Sequence, residues 1–290
     1  MTTLRIATRA SALARWQAGR VADILRSTHS IEVELVFIST QGDERHDVPI
    51  HSLGGVGVFV KEVQQAVLDG AADIAVHSAK DLPSTTAEGL ILACIAERAD
   101  ARDVLVGARL ADIKIGGTIA TGSVRRRTQL AALRPDLRFA ELRGNIDTRI
   151  ARAHEFDAIM LAAAGIDRLD RADTIAQRFE VDEMMPQVGQ GALGIECRID
   201  DGVTVARLIE IDNVVHHRCV DAERAFLAGI GGGCDAPIGA HATMSGDEIT
   251  LRAIIADDHG LIHRVHVAGP EPADVGSRAA LALVPHAGMR

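Results

Sequence analysis

The 290-residue chain reads as an α/β protein: two successive α/β series with mixed, largely parallel sheets, then a small α/β tail on an antiparallel sheet. Three observations predict this. Short apolar runs alternate with helix-spaced segments through the first hundred or so residues. The same rhythm restarts near Asp103. From His241 onward, apolar and polar residues alternate between Ser-Gly-Asp and Asp-His-Gly turns.

The elements follow in order. Leu4–Ala7 is a strand, and Ser11 caps a helix to about Arg26 whose apolar side carries Leu13, Trp16, Val21, Ile24 and Leu25. Glu32–Ile38 alternates like a strand. A Gly-rich stretch ending in GGVGVFV follows, then a helix over Phe59–Leu68 and a buried-type strand at Asp73–His77. In the second series, Thr118–Thr121 leads through Gly122 into a helix over Ser123–Leu133. Phe139–Leu142 is a strand, a helix starts at Asn145, and Asp157–Leu161 is another strand. The rhythm breaks around Pro186. GALGIECR (191–198) reads as a strand returning to the first sheet, Asn213–Gly229 as a helix, and Ala273 onward as the last helix.

Composition excludes several functions. Aromatics are 2%, too few for base-stacking platforms. A net charge of −9 argues against nucleic acid or an anionic membrane as partner of the whole molecule. No apolar run approaches the ~20 residues of a membrane span, and the first residues carry no signal-like apolar stretch, so a cytoplasmic protein is expected. Cys94, Cys197, Cys219 and Cys234 form no C-x-x-C pair, so neither a zinc site nor a redox dithiol is expected.

Three features could carry chemistry. Residues 125–152 hold eight arginines and three acids, Asp136, Glu141 and Asp147, a segment of +5 in an acidic chain. Thr121-Gly-Ser123 precedes it at a helix start. This is either a solvated helix face or an anion site built from guanidinium forks and free amides. His77-Ser-Ala-Lys80-Asp81-Leu-Pro83 follows a strand directly, where ligand sites of open α/β sheets lie. Its Lys–Asp pair is either a surface ion pair or a catalytic acid beside a cation. Gly231-Gly-Gly-Cys234-Asp-Ala-Pro237 puts a thiol on tightly turned backbone, a bystander or a reactive cysteine. Gly189-Gln-Gly191-Ala-Leu-Gly194 fits G-x-G-x-x-G but precedes a strand-like run, so a dinucleotide site is not expected.

Seven segments in consistent order resemble the porphobilinogen deaminase (hydroxymethylbilane synthase) family of tetrapyrrole biosynthesis. They are IATRASALARWQA (6–18), STQGDE (39–44), FVKEVQQAVLDGAADIAVHSAKDLP (59–83), TGSVRRRTQLAALRPDLRFAELRGNIDTR (121–149), DAIMLAAAGIDRL (157–169), PQVGQGALGIECR (186–198) and ERAFLAGIGGGCDAPIGA (223–240). The resemblance implies three domains: 1–98 with 190–210, 99–189, and 211–290. It implies that the first two resemble periplasmic-binding-protein lobes. It also implies a dipyrromethane cofactor joined by a thioether to Cys234, onto which four porphobilinogens are condensed with loss of ammonia. The linear tetrapyrrole is then released by hydrolysis.

By resemblance, Asp81 is the catalytic carboxylate. Ser78, Lys80, Thr121, Ser123, Arg125, Arg126, Arg143, Asn145 and Gly165 match cofactor-binding positions. Arg9, Ser11, Arg143, Arg149, Arg168 and Gln190 match positions that bind substrate or the growing oligopyrrole. The expected partners are these pyrroles alone, with no nucleic acid and no membrane, and the expected state is a monomer. Three departures stand out: Ser52 and Val56 where the family often has lysines, Gly122 for a frequent serine, and Asp235 beside Cys234. The alternative reading is a non-catalytic two-lobe binder of small anions, which needs neither Asp81 nor a glycine-flanked cysteine.

Overall fold

A computed structural model describes residues 3–40, 60–231 and 237–287. The segments 41–59 and 232–236, with Ser52, Val56, Cys234 and Asp235, lie outside the described residues.

In chain order the elements are β1 (Thr3–Arg9), α1 (Ala12–His29), β2 (Glu32–Ile38), α2 (Lys61–Leu68), β3 (Ile74–Ser78), β4 (Leu90–Arg98), β5 (Asp103–Val106), β6 (Thr118–Ala120), α3 (Val124–Leu133), β7 (Arg138–Ala140), α4 (Ile146–Ala151), β8 (Ala158–Ala162), α5 (Ala163–Arg168), β9 (Ile175–Arg178), β10 (Ala192–Arg198), α6 (Gly202–Glu210), α7 (Val214–Ile230), β11 (Ile238–Ser245), β12 (Glu248–Ala256), β13 (Ile262–Gly269) and α8 (Pro272–Leu283).

The chain divides into two compact units, Met1–Ala99 with Ala192–His217, and Asp100–Gly191 with Arg218–Arg290. The first unit holds a five-stranded sheet in the order β2-β1-β3-β10-β4. β1 pairs in parallel with β2 and β3, while β10 runs antiparallel between β3 and β4. The return of GALGIECR to the first sheet is therefore as the sequence predicts. One face buries Leu4, Ile6, Ile74, Ile195 and Leu193 with Val21 and Leu25 of α1 and Leu208 of α6. The other buries Ala7 and Ala75 against Val63 and Val67 of α2. α1 starts where expected, because Ser11 Oγ accepts the Ala14 N–H at 3.3 Å. It stops at Ser30, whose left-handed φ of 51° lets its N–H close on the Arg26 carbonyl.

The second unit holds two sheets. One has the order β7-β6-β8-β5-β9, with parallel β6–β7 and β6–β8 ladders and antiparallel β5–β8 and β5–β9 ladders. The other is the antiparallel β11-β12-β13, whose Leu251, Ala253 and Ile255 pack on Phe226 of α7 and Val275 of α8. Strand β9 is absent from the sequence reading, as its four residues are all half-buried and show no clear alternation.

Candidate active site

In the first unit, β1 and β3 run parallel and end side by side, and the chemistry sits at their carboxyl ends. Ser78 closes β3, and Ala79–Asp81 forms a single tight helical turn, closed by the Leu82 N–H on the Ala79 carbonyl at 3.2 Å. A small open cleft lies there, lined among others by Arg9, Ser11, Gln17, His77, Ser78 and Asp81. Gln17 Nε2 donates to Ser78 Oγ at 2.8 Å, tying α1 to the strand end. Gly194 of β10 lets the turn sit against the sheet. A methyl at that position would stand 3.0 Å from Leu82 Cδ1 and 3.2 Å from Leu92 Cδ1. Thus Arg9, Ser11, Ser78 and Asp81 line one cleft. Lys80 is half-buried in the same turn and does not line this cleft.

In the second unit, Thr121 is buried at the end of β6, and its Oγ1 accepts the Ser123 N–H at 3.2 Å. Ser123 caps α3 by accepting from the Arg126 N–H. The first turn of α3 then points Arg125 and Arg126 inward rather than into solvent. Arg125 is 3% exposed and Asp103 is 0% exposed. Arg125 Nη1 donates to Asp103 Oδ2 at 2.7 Å. Arg126 donates to Oδ1 through Nε at 3.0 Å and Nη2 at 2.7 Å. Burial works against the Asp103 carboxylate, yet the two guanidiniums overcome it and hold its pKa well below the usual carboxylate range.

Two guanidiniums against one carboxylate leave one buried positive charge. Arg125 Nε is also buried with no hydrogen-bond partner among the described residues. Other arginines of the basic segment have acid neighbours: Arg127 with Glu141, Arg134 with Asp136, and Arg152 with Glu155. Asp136 and Glu141 are already counted in the +5 of the segment, whereas the two acids Asp103 and Glu155 lie outside it and bring its local charge to +3. Asp103 is the residue sequence reasoning missed. The available signal was an acid heading the fully buried strand DVLV, which demands a buried counter-charge.

The remaining sequence candidates are placed as follows. Asn145 caps α4, its Oδ1 accepting the Thr148 N–H at 2.9 Å, after Gly144 at φ +110°. Arg149 Nε donates to the Gly144 carbonyl at 2.7 Å, and Arg143 stands half-buried in the same turn. Gly165 is buried in α5, and Arg168 Nη2 donates to the Gly191 carbonyl at 2.8 Å. Gln190 is fully buried, its Nε2 donating to the Ala101 carbonyl at 2.6 Å and to Asp103 Oδ1 at 3.0 Å. Arg168 thus holds the backbone at Gly191, and Gln190 that at Ala101 and Arg102. The G-x-G-x-x-G match leads into β10, not into a helix. Cys234 lies outside the described residues, between α7 and β11. The three described cysteines, Cys94, Cys197 and Cys219, are buried.

No helix of the described residues is long and apolar enough to cross a membrane. Among those residues no cluster of three or more His, Cys, Asp or Glu could hold a metal ion.

Residues 4–206 match the family model "Porphobilinogen deaminase, dipyromethane cofactor binding domain", and residues 217–284 match "Porphobilinogen deaminase, C-terminal domain". The chain is 45% identical to the porphobilinogen deaminase of Syntrophotalea carbinolica over 276 residues, 93% of this chain and 88% of that one. It is 46% identical to that of Geobacter sulfurreducens over 265 residues, covering 90% and 83%. Among solved structures, a periplasmic substrate-binding protein of an ABC transporter from Coxiella burnetii aligns with a TM-score of 0.44 at 12% identity, covering 72% of this chain and 91% of that one.

Proposed function

The chain belongs to the porphobilinogen deaminase family of tetrapyrrole biosynthesis, and on that premise we propose how its residues divide the reaction. It condenses four porphobilinogens head to tail onto a dipyrromethane held as a thioether by Cys234. Each step releases ammonia, and hydrolysis then frees linear hydroxymethylbilane. When bound, the dipyrromethane supplies the nucleophile, the free α-carbon of a terminal pyrrole, so no side-chain nucleophile is required.

The residues present fit such a group. Each pyrrole ring carries two carboxylates, and the buried Asp103–Arg125–Arg126 cluster sets two guanidiniums against one carboxylate, with Arg125 Nε unpartnered among the described residues. The Thr121 and Ser123 hydroxyls at the start of α3 stand next to those arginines in the chain, and Lys80, Ser78, Arg143, Asn145 and Gly165 complete the proposed holding set. Arg9 and Ser11 receive the carboxylate arms of incoming porphobilinogen. Arg143, Arg149, Arg168 and Gln190 serve the lengthening chain.

The observation that carries the reading is the position of Asp81, standing in the cleft at the carboxyl end of β3 with Arg9, Ser11 and Ser78 around it. Loss of ammonia leaves porphobilinogen electron-poor, with positive charge on its pyrrole nitrogen. A carboxylate fixed beside the pyrrole N–H stabilises that charge where it develops. We assign the third sheet with α7 and α8 to a separate C-terminal domain carrying Cys234. The enzyme is proposed to act as a cytoplasmic monomer. The test is turnover: purified protein given porphobilinogen should release four ammonias per hydroxymethylbilane formed. Binding of porphobilinogen without release of ammonia would support a binding protein instead.

A further inference from the structure

The second unit carries an acid where the assigned function calls for cations. Strands β6 and β7 run parallel and end side by side, Ala120 opposite Ala140. The Thr121 N–H donates to the Ala140 carbonyl at 2.8 Å, which keeps the residues after the two strands together. After β6 come Thr121, Gly122 and Ser123, which open α3; after β7 come Glu141, Leu142 and Arg143. The Glu141 carboxylate lies against Gly122. Its Oε1 accepts from Arg127 Nη2, and its Oε2 stands 3.2 Å from the point that a side-chain carbon on residue 122 would occupy. The backbone at 122 does not itself demand glycine, because its φ lies outside the left-handed region. What glycine provides there is room for the carboxylate.

A carboxylate only accepts hydrogen bonds, and so does each acid arm of a pyrrole. Glu141 therefore cannot hold such an arm. It competes with the arm for the same surroundings: the first amides of α3, the Thr121 and Ser123 hydroxyls, and the positive field of the helix start. It can also give way. The Glu141 side chain is 61% exposed and that of its partner Arg127 is 40% exposed, so the pair can swing outward at little cost.

We propose that Glu141 is a built-in competitor for the acid-binding start of α3, and that Gly122 makes room for it. The carboxylate fills this place in the empty protein, yields it to an acid arm of the dipyrromethane, and thereby sets how tightly that arm is held. The proposal rests on the function assigned above.

Two measurements on the full-length, cofactor-free protein test this. The first is sulfate binding by calorimetric titration. Glu141→Met keeps the length of the side chain and removes its charge. It should tighten sulfate binding at least about three-fold at low salt, the effect of losing one unit charge a few ångströms from the anion. The gain should shrink to within about 1.5-fold in 1 M sodium chloride, where the screening length is about 3 Å. Gly122→Ala, whose methyl displaces the carboxylate, should give a similar gain alone and none on top of Glu141→Met. A merely structural Glu141 would move the unfolding midpoint and leave sulfate affinity where it was. The second measurement is the porphobilinogen concentration that half-loads the chain, read from intact mass; Glu141→Met should lower it at least about two-fold. Sulfate affinity unchanged by Glu141→Met, sulfate bound by neither protein, or additive gains from the two substitutions would overturn the proposal. Unchanged half-loading in a protein that does load would overturn it too. If sulfate behaves as expected but the unsubstituted protein never gains an adduct, the assigned reaction fails while the competition by Glu141 stands.

Discussion

Asp103→Asn removes the one carboxylate that Arg125 and Arg126 share in the heart of the second unit. Three charge-assisted hydrogen bonds of 2.7 to 3.0 Å are weakened or lost, together with the formal charge that two buried guanidiniums require. Removing one partner of a buried ion pair costs about 3–5 kcal/mol, because the charge left behind keeps its desolvation penalty. At roughly 2–4 °C per kcal/mol for a domain of this size, the unfolding midpoint should fall by about 6–20 °C at pH 7. The pH dependence has a definite sign. The folded-state pKa of Asp103 lies below its unfolded value of about 3.9, so the stabilisation is fully present above that value. It is lost as the pH falls toward the folded pKa. The gap between Asp103→Asn and the unsubstituted protein should therefore be constant above about pH 5 and narrow from there toward about pH 3. The assay is thermal unfolding followed by circular dichroism across that range. Adding Arg125→Met to Asp103→Asn should recover part of the loss by restoring charge balance. A loss under about 1 kcal/mol at pH 7, or a gap that does not narrow in acid, would refute the account of this cluster.

Four further outcomes are expected. Asp81→Asn should leave the unfolding midpoint nearly unchanged yet lower kcat by at least about 100-fold, measured by hydroxymethylbilane formation. Arg143→Leu should slow elongation by removing a carboxylate fork, seen as shortened enzyme-bound oligopyrroles in intact mass spectra. Gly194→Ala should cost about 1–3 kcal/mol and displace the Asp81 turn, because its methyl meets Leu82 and Leu92 at 3.0 and 3.2 Å; a midpoint within a degree of normal would contradict this. Alkylation of the folded, cofactor-free protein at pH 8 should spare Cys94, Cys197 and Cys219, all buried. Burial pushes the Cys197 thiol up to about 11 and the Cys94 thiol higher still, leaving Cys234 as the labelled position in peptide maps.

What the sequence shows and what it hides divide along a physical line. α1 is legible because its signals are local, a serine cap, an apolar stripe and a short strand before it, although Trp16, read as part of that stripe, is exposed. The position of Asp81 at a strand end is legible for the same reason, since a polar run directly after a buried strand marks a strand end, while its proposed role comes from the family resemblance alone. Most strands of the three sheets are legible from rhythm, including β10 returning to the first sheet, but the edge strands β4 and β9 are not. The charge partners are not. Asp103 lies 22 residues from Arg125 and on a different element, so no local pattern joins them. From sequence the eight arginines therefore read as either a solvated helix face or an anion site, whereas the fold turns two of them into its interior and pairs others on its surface. The approach of buried His77 on β3 to buried Glu196 on β10, 3.2 Å apart, is hidden likewise. Their contact comes from an antiparallel strand inserted more than a hundred residues later in the chain, and in sequence each sits in a mostly apolar strand. Gln17 is masked by the apolar spacing of α1, and only the fold brings it to Ser78.

The most direct test of the central claim is the intact mass of the purified protein, with peptide mapping across residues 223–240. The account predicts an adduct equal to two porphobilinogens less two ammonias, carried on Cys234, either on isolation or after incubation with porphobilinogen. A protein whose mass never rises above that of the bare chain under those conditions, or an adduct carried on another residue, would contradict it.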